Sequence, residues 1–428
     1  MKMVASELEK GGIHSQQSSF VAREEQQGSQ TLLPDGKDVE ASNEFSVSTS
    51  PRQPRSTWRE RGKRIRSFLI AYHLPLMLVF GVIIGVAWPL PGQVVGDAKL
   101  NDGVCLIPKS DTSPGTCVWA TISSLCVSLI FLISGLQLKL ARIRHVMGAR
   151  KEIALGMFLI FLLTAAFGFA IAAGPKLNPP EFSFGLALFC IMPTTLSSCV
   201  VIVGYAGGNV ALALFLSVLT NLLGTAILPL TVSWLVDVFI RTAGGSGSST
   251  STAAGINAAD LCISLVFTVL IPLIVGLAMR YMSPKHIGGF IDRHPLAWKL
   301  VSALALAMIP WMKISQSADT FRGVPGGDFV IMLLCAFGLH FLLLVLCYVC
   351  SVHIFSLKGL EEEKCLVIVC AQKTLPISLS VIDALPVGII GSKGLIAIPV
   401  ILAQLFQTIF DSFLAVKWHQ RTTNVSAT

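Results

Sequence analysis

Ten apolar segments recur along the chain, each about as long as a helix that crosses a lipid bilayer. A helix needs roughly 20 mainly apolar residues to span the hydrocarbon core. Of the 428 residues, 53% are hydrophobic and only 13% are charged, whereas soluble domains carry about 25% charged residues. We therefore predict an all-α integral membrane protein with ten transmembrane helices. The predicted helices cover 67–89, 118–137, 152–173, 182–205, 209–238, 260–280, 297–312, 328–354, 363–385 and 395–414.

Two of these segments are interrupted by polar residues near their middle. The fourth contains Cys190 to Cys199, which reads Cys-Ile-Met-Pro-Thr-Thr-Leu-Ser-Ser-Cys, and the ninth contains Cys370 to Ser380, which reads Cys-Ala-Gln-Lys-Thr-Leu-Pro-Ile-Ser-Leu-Ser. A proline removes a backbone hydrogen bond and breaks a helix. Freed backbone groups survive at membrane depth only where they are buried in protein or line a cavity. Broken segments at matching positions of two halves are typical of a transporter's binding site.

The two halves of the chain resemble each other. The first and sixth segments both contain an apolar-Pro-Leu sequence, at Leu74 and Ile271, and the fourth segment of each half holds the break. Because five is odd, the second half begins on the opposite side of the membrane, which makes the repeat inverted. The predicted organisation is a disordered cytoplasmic tail (1–60), a first five-helix repeat (67–238), a flexible linker (243–255), a second five-helix repeat (260–414) and a cytoplasmic tail (415–428).

Basic residues are distributed unequally between the two sides of the predicted membrane. The segments on the side of the N-terminus hold 20 Lys and Arg residues, and the opposite loops hold 7. The positive-inside rule therefore places both termini in the cytoplasm. The net charge of +8 is explained by these loops beside the lipid bilayer, and we expect no nucleic-acid partner. The N-terminal stretch lacks an apolar signal segment and is richer in acids than transit peptides are, which favours a plasma or secretory-pathway membrane.

Hydroxyl side chains are concentrated at the first break. Hydroxyl and freed carbonyl oxygens suit a small cation, whereas the N-terminus of a half-helix favours an anion. Small and hydroxyl residues also pack between membrane helices, and Ser217 and Asn221, one turn apart on the next segment, fit either interpretation. The candidate binding residues here are Pro193, Thr194, Thr195, Ser197, Ser198, Ser217 and Asn221.

Lys373 is a basic residue deep inside the ninth segment. A charge at that depth costs at least about 2.5 kcal/mol and by default indicates function; the alternative is a structural pair with a carboxylate such as Asp411. Spacings of three and four place Gln404, Gln407 and Asp411 on one face of the tenth helix. His340 is a lone histidine in the eighth helix, and we expect it to be packed and hydrogen-bonded inside the protein without a role in binding. The candidate binding residues of this half are Gln372, Lys373, Thr374, Gln404 and Gln407.

These motifs together resemble the bile acid:sodium symporter superfamily, its sodium/bile acid cotransporter 7-like branch and the plant sodium/metabolite cotransporters. The resemblance covers about residues 68–416. It rests on Ile133-Ser-Gly-Leu136, Met192-Pro-Thr-Thr-Leu-Ser-Ser198, Gly207-Gly-Asn-Val-Ala-Leu-Ala213, Asn221-Leu-Leu-Gly224, Ile271-Pro-Leu-Ile274, Gln372-Lys-Thr-Leu-Pro376 and Asp411-Ser412.

The resemblance implies two inverted repeats in which broken helices four and nine cross. Helices three to five and eight to ten would form a core that works against a panel of helices one, two, six and seven. It also implies sodium ligands near Ser198, Cys199, Ala213 and Ser217, of which only Ser198 and Ser217 offer side-chain oxygens. The acid of the sodium-coupled members has no counterpart at 370–373, where Lys373 stands instead. We therefore expect the Lys373 side chain to take the place of one coupling ion. The candidates for a coupling ion that still moves with the solute are Na+ and H+.

The predicted function is secondary active transport of a small organic anion by alternating access. The alternative is a membrane regulator of ion homeostasis, for example of calcium, without bulk solute transport. Neither an enzyme activity nor a cofactor is expected, because H-E-x-x-H, P-loop and G-x-S-x-G motifs are missing from the sequence. The plant resemblance favours a plastid envelope as the alternative location. The sequence specifies neither the substrate nor the oligomeric state, and it leaves open a disulfide between Cys105 and Cys117.

Overall fold

The computed structural model describes most of the predicted membrane region. The described residues are 73–98, 104–107, 116–118, 121–139, 146, 148–196, 198–242, 258–354, 359–385 and 390–427, with side chains described for all of these except 73–74, 104–107, 116–118 and 420–427. The predicted tail 1–60, the linker 243–255 and the candidate residue Ser197 lie outside them.

Helices account for nearly all of the described chain. In chain order the elements are α1 (His73–Ala87), α2 (Pro89–Asp97), β1 (Val104–Ile107), β2 (Thr116–Val118), α3 (Ile122–Gln137), α4 (Arg150–Ala173), α5 (Pro180–Ile191), α6 (Ser198–Ala206), α7 (Val210–Thr242), α8 (Ala258–Met282), α9 (Gly289–Arg293), α10 (Pro295–Gln316), α11 (Ala318–Arg322), α12 (Gly326–Ile354), α13 (Leu360–Ala371), α14 (Leu375–Ala384) and α15 (Lys393–Ala427).

Seven spans in the described residues are long and apolar enough to cross a membrane: α4, α7, α8, α10, α12, α13 with α14, and α15. The pair α1–α2, bent by 101° at Trp88, would be an eighth. The bend arises because Pro89 starts a new helix, as proline does at a first helical position. The apolar helices α3 and α5 have only 16 and 12 residues. The arrangement of ten spans therefore remains a prediction.

Two features differ from the expected pattern. Strands β1 and β2 form a short antiparallel ribbon in an otherwise helical structure. Their β-branched and apolar residues suit strands, and the intervening residues 108–115 carry the Pro, Gly, Asp and Ser typical of turns. The backbone register pairs Cys105 with Cys117, but their side chains lie outside the described part, so the disulfide stays untested. Helix α15 also continues to Ala427, through the predicted tail 415–428.

The membrane helices divide into two sets by their packing. Helices α1, α3, α8 and α10 pack against one another, and we call them the panel helices. Helices α4 to α7 pack with α12 and α13, and we call these the core helices. We include α14 and α15 in the core set because Thr374, directly before α14, bonds to Pro193 and Gln407 of α15 bonds to Lys373, although α14 also packs on α3 and α8. The family resemblance implied a division into core and panel of this kind.

Two glycines allow the panel helices α3 and α8 to approach closely. A Cβ on Gly135 would lie 2.9 Å from the backbone nitrogen of Leu277, and a Cβ on Gly276 would lie 3.0 Å from that of Leu136. Small residues at such crossings allow backbone contact between membrane helices. The motif Ile133-Ser-Gly-Leu136 thus has a structural reason.

Replacing Gly276 with valine should destabilise the panel, because forcing a side chain into a filled helix contact costs about 1–3 kcal/mol. Thermal unfolding of the purified protein in detergent should show a lower midpoint for Gly276→Val. Gly338→Val is the matched control, since a Cβ on the exposed Gly338 meets no heavy atom within 4 Å. Equal losses in the two variants would contradict the close approach.

A polar cluster around Asp383 joins the panel and the core at one end. The carboxylate of Asp383, in core helix α14, forms an ion pair with Lys313 of panel helix α10 and accepts a hydrogen bond of 2.6 Å from Ser123 of panel helix α3. Lys393, at the start of α15, donates to the backbone carbonyl of Asp383 at 2.6 Å. Asp383 therefore contacts both sets of helices, and its side chain is 21% exposed.

Candidate functional site

Both predicted breaks are present, and they touch each other. The chain is non-helical at 192–196, after α5, and at 372–374, between α13 and α14. Thr374 donates its backbone N–H to the carbonyl of Pro193 at 3.0 Å, and the hydroxyl of Thr195 donates to Oε1 of Gln372 at 3.0 Å. We call this contact the crossover; it comprises Pro193, Thr194, Thr195, Gln372, Lys373 and Thr374.

Side chains from two neighbouring helices satisfy the backbone that the breaks release. Gln407 of α15 accepts from the N–H of Lys373 at 3.1 Å and donates to its carbonyl at 2.7 Å. It also donates to Oε1 of Gln404 at 2.9 Å. Asn221 of α7 donates to the carbonyl of Thr194 at 2.8 Å. Two predicted site residues, Gln407 and Asn221, therefore support the crossover backbone directly, and Gln404 is linked to it through Gln407. A role in binding a solute remains a prediction for all three.

Two buried oxygen atoms beside the first break have no hydrogen-bond partner among the described residues. They are Oγ1 of Thr194 and Oδ1 of Asn221, and both side chains are almost fully buried. Leaving such an atom unpaired costs about 1–3 kcal/mol. Nearly every buried polar group in a folded protein is paired, so these two atoms mark a place where a solute, an ion or another arrangement of the breaks would supply the missing partner.

Lys373 extends from the crossover into α4. Its Nζ donates to the hydroxyl of Thr164 at 2.7 Å and lies 3.5 Å from the carbonyl of Ile160, and the whole residue is inaccessible to solvent. A π-helical turn at Leu159–Leu163 loosens α4 here; such turns are frequent at functional sites. The structural pair with Asp411 is not formed. Thr164 was not predicted, since a threonine in an apolar helix gives no signal in the sequence.

The two proposed sodium ligands with side-chain oxygens have different neighbours. Ser198 donates to Oγ1 of Thr195 at 2.9 Å, whereas Oγ of Ser217 lies 3.1 Å from Sγ of Cys199. Sodium is a hard cation like calcium and magnesium, which take oxygen ligands, so the sulfur beside Ser217 fits it poorly. The described residues contain no group of three or more His, Cys, Asp or Glu placed to hold a metal. A sodium site at Ser198 and Ser217 stays a prediction.

His340 and Asp411 form a buried pair that the sequence did not predict. Nε2 of His340, in α12, lies 2.8 Å from Oδ1 of Asp411, in α15. Oδ2 of the same carboxylate accepts from Nε2 of Gln372 at 2.8 Å. Neither residue of the pair is more than 2% exposed. The sequence placed Asp411 on the polar face with Gln404 and Gln407, but a histidine in an apolar helix carries no comparable signal.

The long apolar helices and the two broken spans define a multi-pass membrane protein. The model of the SBF-like CPA transporter family matches residues 104–420, and the chain belongs to this family of membrane transporters, within the bile acid:sodium symporters.

Plant proteins are among its relatives. The chain is 35% identical over 374 residues, 85% of its length and 76% of the relative's, to "Probable sodium/metabolite cotransporter BASS4, chloroplastic" of Arabidopsis thaliana. It is 33% identical to the protein of the same name from Oryza sativa subsp. indica, over 84% of this chain and 78% of that one. "Sodium/bile acid cotransporter 7-A" of Xenopus laevis is 26% identical, over 69% of this chain and 81% of its own.

Proposed function

We propose that the protein is a secondary active transporter of a small organic anion, with ten spans in two inverted repeats. The observation that carries this proposal is the crossover, where two broken spans meet around a fully buried lysine. Broken spans at the repeat interface are where secondary transporters bind solutes. The names of the relatives describe cotransport, which favours transport over a regulator that moves no solute. The plant relatives are named as chloroplastic, which favours an organelle envelope over the plasma membrane.

The charge at the crossover favours an anionic solute. The ammonium of Lys373 replaces one coupling cation in this proposal, because it is held by Thr164 and the carbonyl of Ile160 as a bound ion would be held by oxygens. A cation fixed to the chain attracts an anion without having to be supplied from solution. The unpaired hydroxyl of Thr194 can donate to that anion.

Alternating access requires two sets of helices that move against each other. In the described residues, polar contacts between panel and core gather at the Asp383 end, with a further contact of 3.4 Å between Thr268 and Ser380. At the other end, the ion pair of Arg280 with Asp292 stays within the panel side, and the hydrogen bond of Asn209 to Glu362 stays within the core. This asymmetry supports a conformation closed at the Asp383 end.

Uptake into lipid vesicles tests the proposal. Vesicles containing the purified full chain should accumulate at least one member of a panel of radiolabelled carboxylates and sulfonates, and no matched organic cation. Uptake should be measured with and without sodium and pH gradients, beside protein-free vesicles. Accumulation of cations alone, or of no solute by a folded protein under any gradient, would contradict the proposal.

A further inference from the structure

Five side chains form a continuous line of hydrogen bonds through the core. His340 contacts Asp411, Asp411 accepts from Gln372, Gln372 accepts from Thr195, and Thr195 accepts from Ser198. Each of these four links measures between 2.8 and 3.0 Å. The line begins at the His340–Asp411 pair and ends at the first break. A change in the protonation of this pair would therefore alter the hydrogen bonds of Gln372 and Thr195 at the crossover.

In the described residues, aromatic rings and the amide of Gln372 surround the pair. The His340 ring packs edge-on against Phe406 and Phe410, with ring centres 5.9 and 6.4 Å away. Lys373 follows Gln372 in the chain. In the described residues, the other titratable groups around the Lys373 side chain are three buried thiols, which carry no charge in apolar surroundings. These thiols belong to Cys190, Cys347 and Cys370. Among the described residues, no further ionised side chain pairs with His340 or Asp411.

The net charge of this region depends on one proton. With a neutral His340, an ionised Asp411 and the ammonium of Lys373, the buried charges sum to zero. One added proton on the pair makes the sum +1. An uncompensated charge at membrane depth is costly, so the protonated region is stabilised by one negative charge from a bound solute.

We propose that His340 and Asp411 form a proton-binding site that couples proton uptake to binding of the organic anion at the crossover. This rests on the proposed function and names the coupling ion for it. One proton enters with one negative charge, and both leave together on the other side. Binding of either therefore favours binding of the other by the same factor.

The hydrogen-bond geometry supplies a route for this coupling. The ionised carboxylate of Asp411 accepts from the Gln372 amide at Oδ2. A proton on Oδ2 turns that oxygen into a donor, so the amide must rotate and present its own oxygen to Asp411. Its NH₂ group then faces Thr195, whose hydroxyl hydrogen no longer has Gln372 as its acceptor. The freed hydroxyl can donate to an anion at the crossover.

Infrared difference spectroscopy tests proton binding without any knowledge of the solute. The full chain in lipid nanodiscs should show a carboxyl C=O band that rises as the pH is lowered, because a protonated carboxyl group has a C=O bond that the carboxylate lacks. The band should be lost in Asp411→Asn and shifted in pH in His340→Gln. Asp237→Asn, which removes a surface carboxylate paired with Arg241, should leave it unchanged. A wild-type band that survives both pair variants would overturn the proposal.

Thiol labelling tests the coupling to the crossover. In a chain whose native cysteines are replaced, Ser198→Cys should change its labelling rate with pH by about tenfold more than the same cysteine in a His340→Gln chain, since 1.4 kcal/mol of coupling is a factor of ten. The His340→Gln chain provides the baseline for ordinary thiol ionisation. Equal pH dependence in the two chains would overturn the coupling. Proton binding without any anion uptake would contradict the proposed function but leave the proton site standing.

Discussion

Replacing Lys373 with methionine should lower transport by about a hundredfold while the protein still folds, because the fixed positive charge that attracts the anion is lost; this factor corresponds to an interaction of about 2.7 kcal/mol. Methionine has nearly the same length, and Thr164 retains its hydrogen bond of 2.7 Å to the carbonyl of Ile160. The loss should therefore come from the missing charge and not from collapse of α4. Lys373→Arg should not restore activity, because the planar guanidinium is larger than the ammonium and binds differently.

Uptake of the accumulated anion by vesicles, compared at equal protein and equal thermal stability, measures this effect. Lys417→Met is the matched control, since Lys417 lies near the end of α15 over the ring of Phe413 and outside the crossover. Full activity in Lys373→Met would exclude a fixed cation as part of the mechanism. Wild-type transport that rises steeply with sodium would also contradict it, because Lys373 is proposed to replace that ion.

Breaking the ion pair between Lys313 and Asp383 should open the Asp383 end of the protein. The two side chains are only 13% and 21% exposed, and removing one partner of a largely buried pair leaves the other without compensation. A cysteine at Thr268, which contacts Ser380 between the panel and the core, should then label about tenfold faster from that side in Lys313→Met or Asp383→Asn, a shift of about 1.4 kcal/mol.

A double-mutant cycle gives this prediction its control. If the two side chains act as a pair, Lys313→Met combined with Asp383→Asn should change labelling less than the sum of the single effects. Asp237→Asn removes an exposed ion pair within α7 and should leave labelling unchanged, since exposed pairs contribute little. Independent, additive effects of the two substitutions would show that the contact does not hold the end closed.

Local sequence was sufficient for the features that depend on neighbouring residues. Apolar length located most of the membrane helices to within a few residues, so that predicted 152–173 and 328–354 correspond to α4 and α12, whereas α15 continues past its predicted end at 414. Pro193 and the polar run at 372–374 located the breaks. In both cases the cause lies in the residues of the segment itself.

The partners of the candidate site depended on tertiary packing. Lys373 bonds to Thr164, 209 residues away in the chain, and not to Asp411, which the sequence offered as the obvious counter-charge. Asp411 instead pairs with His340, 71 residues away, and Asp383 pairs with Lys313. Apolar periodicity shows that a helix is buried but not which neighbour each polar residue faces, because that is set by how several helices cross. The sequence by itself therefore determined the membrane class, the breaks and the charged residue within one of them, and the crossing of the helices decided which groups that charge and the buried carboxylates meet.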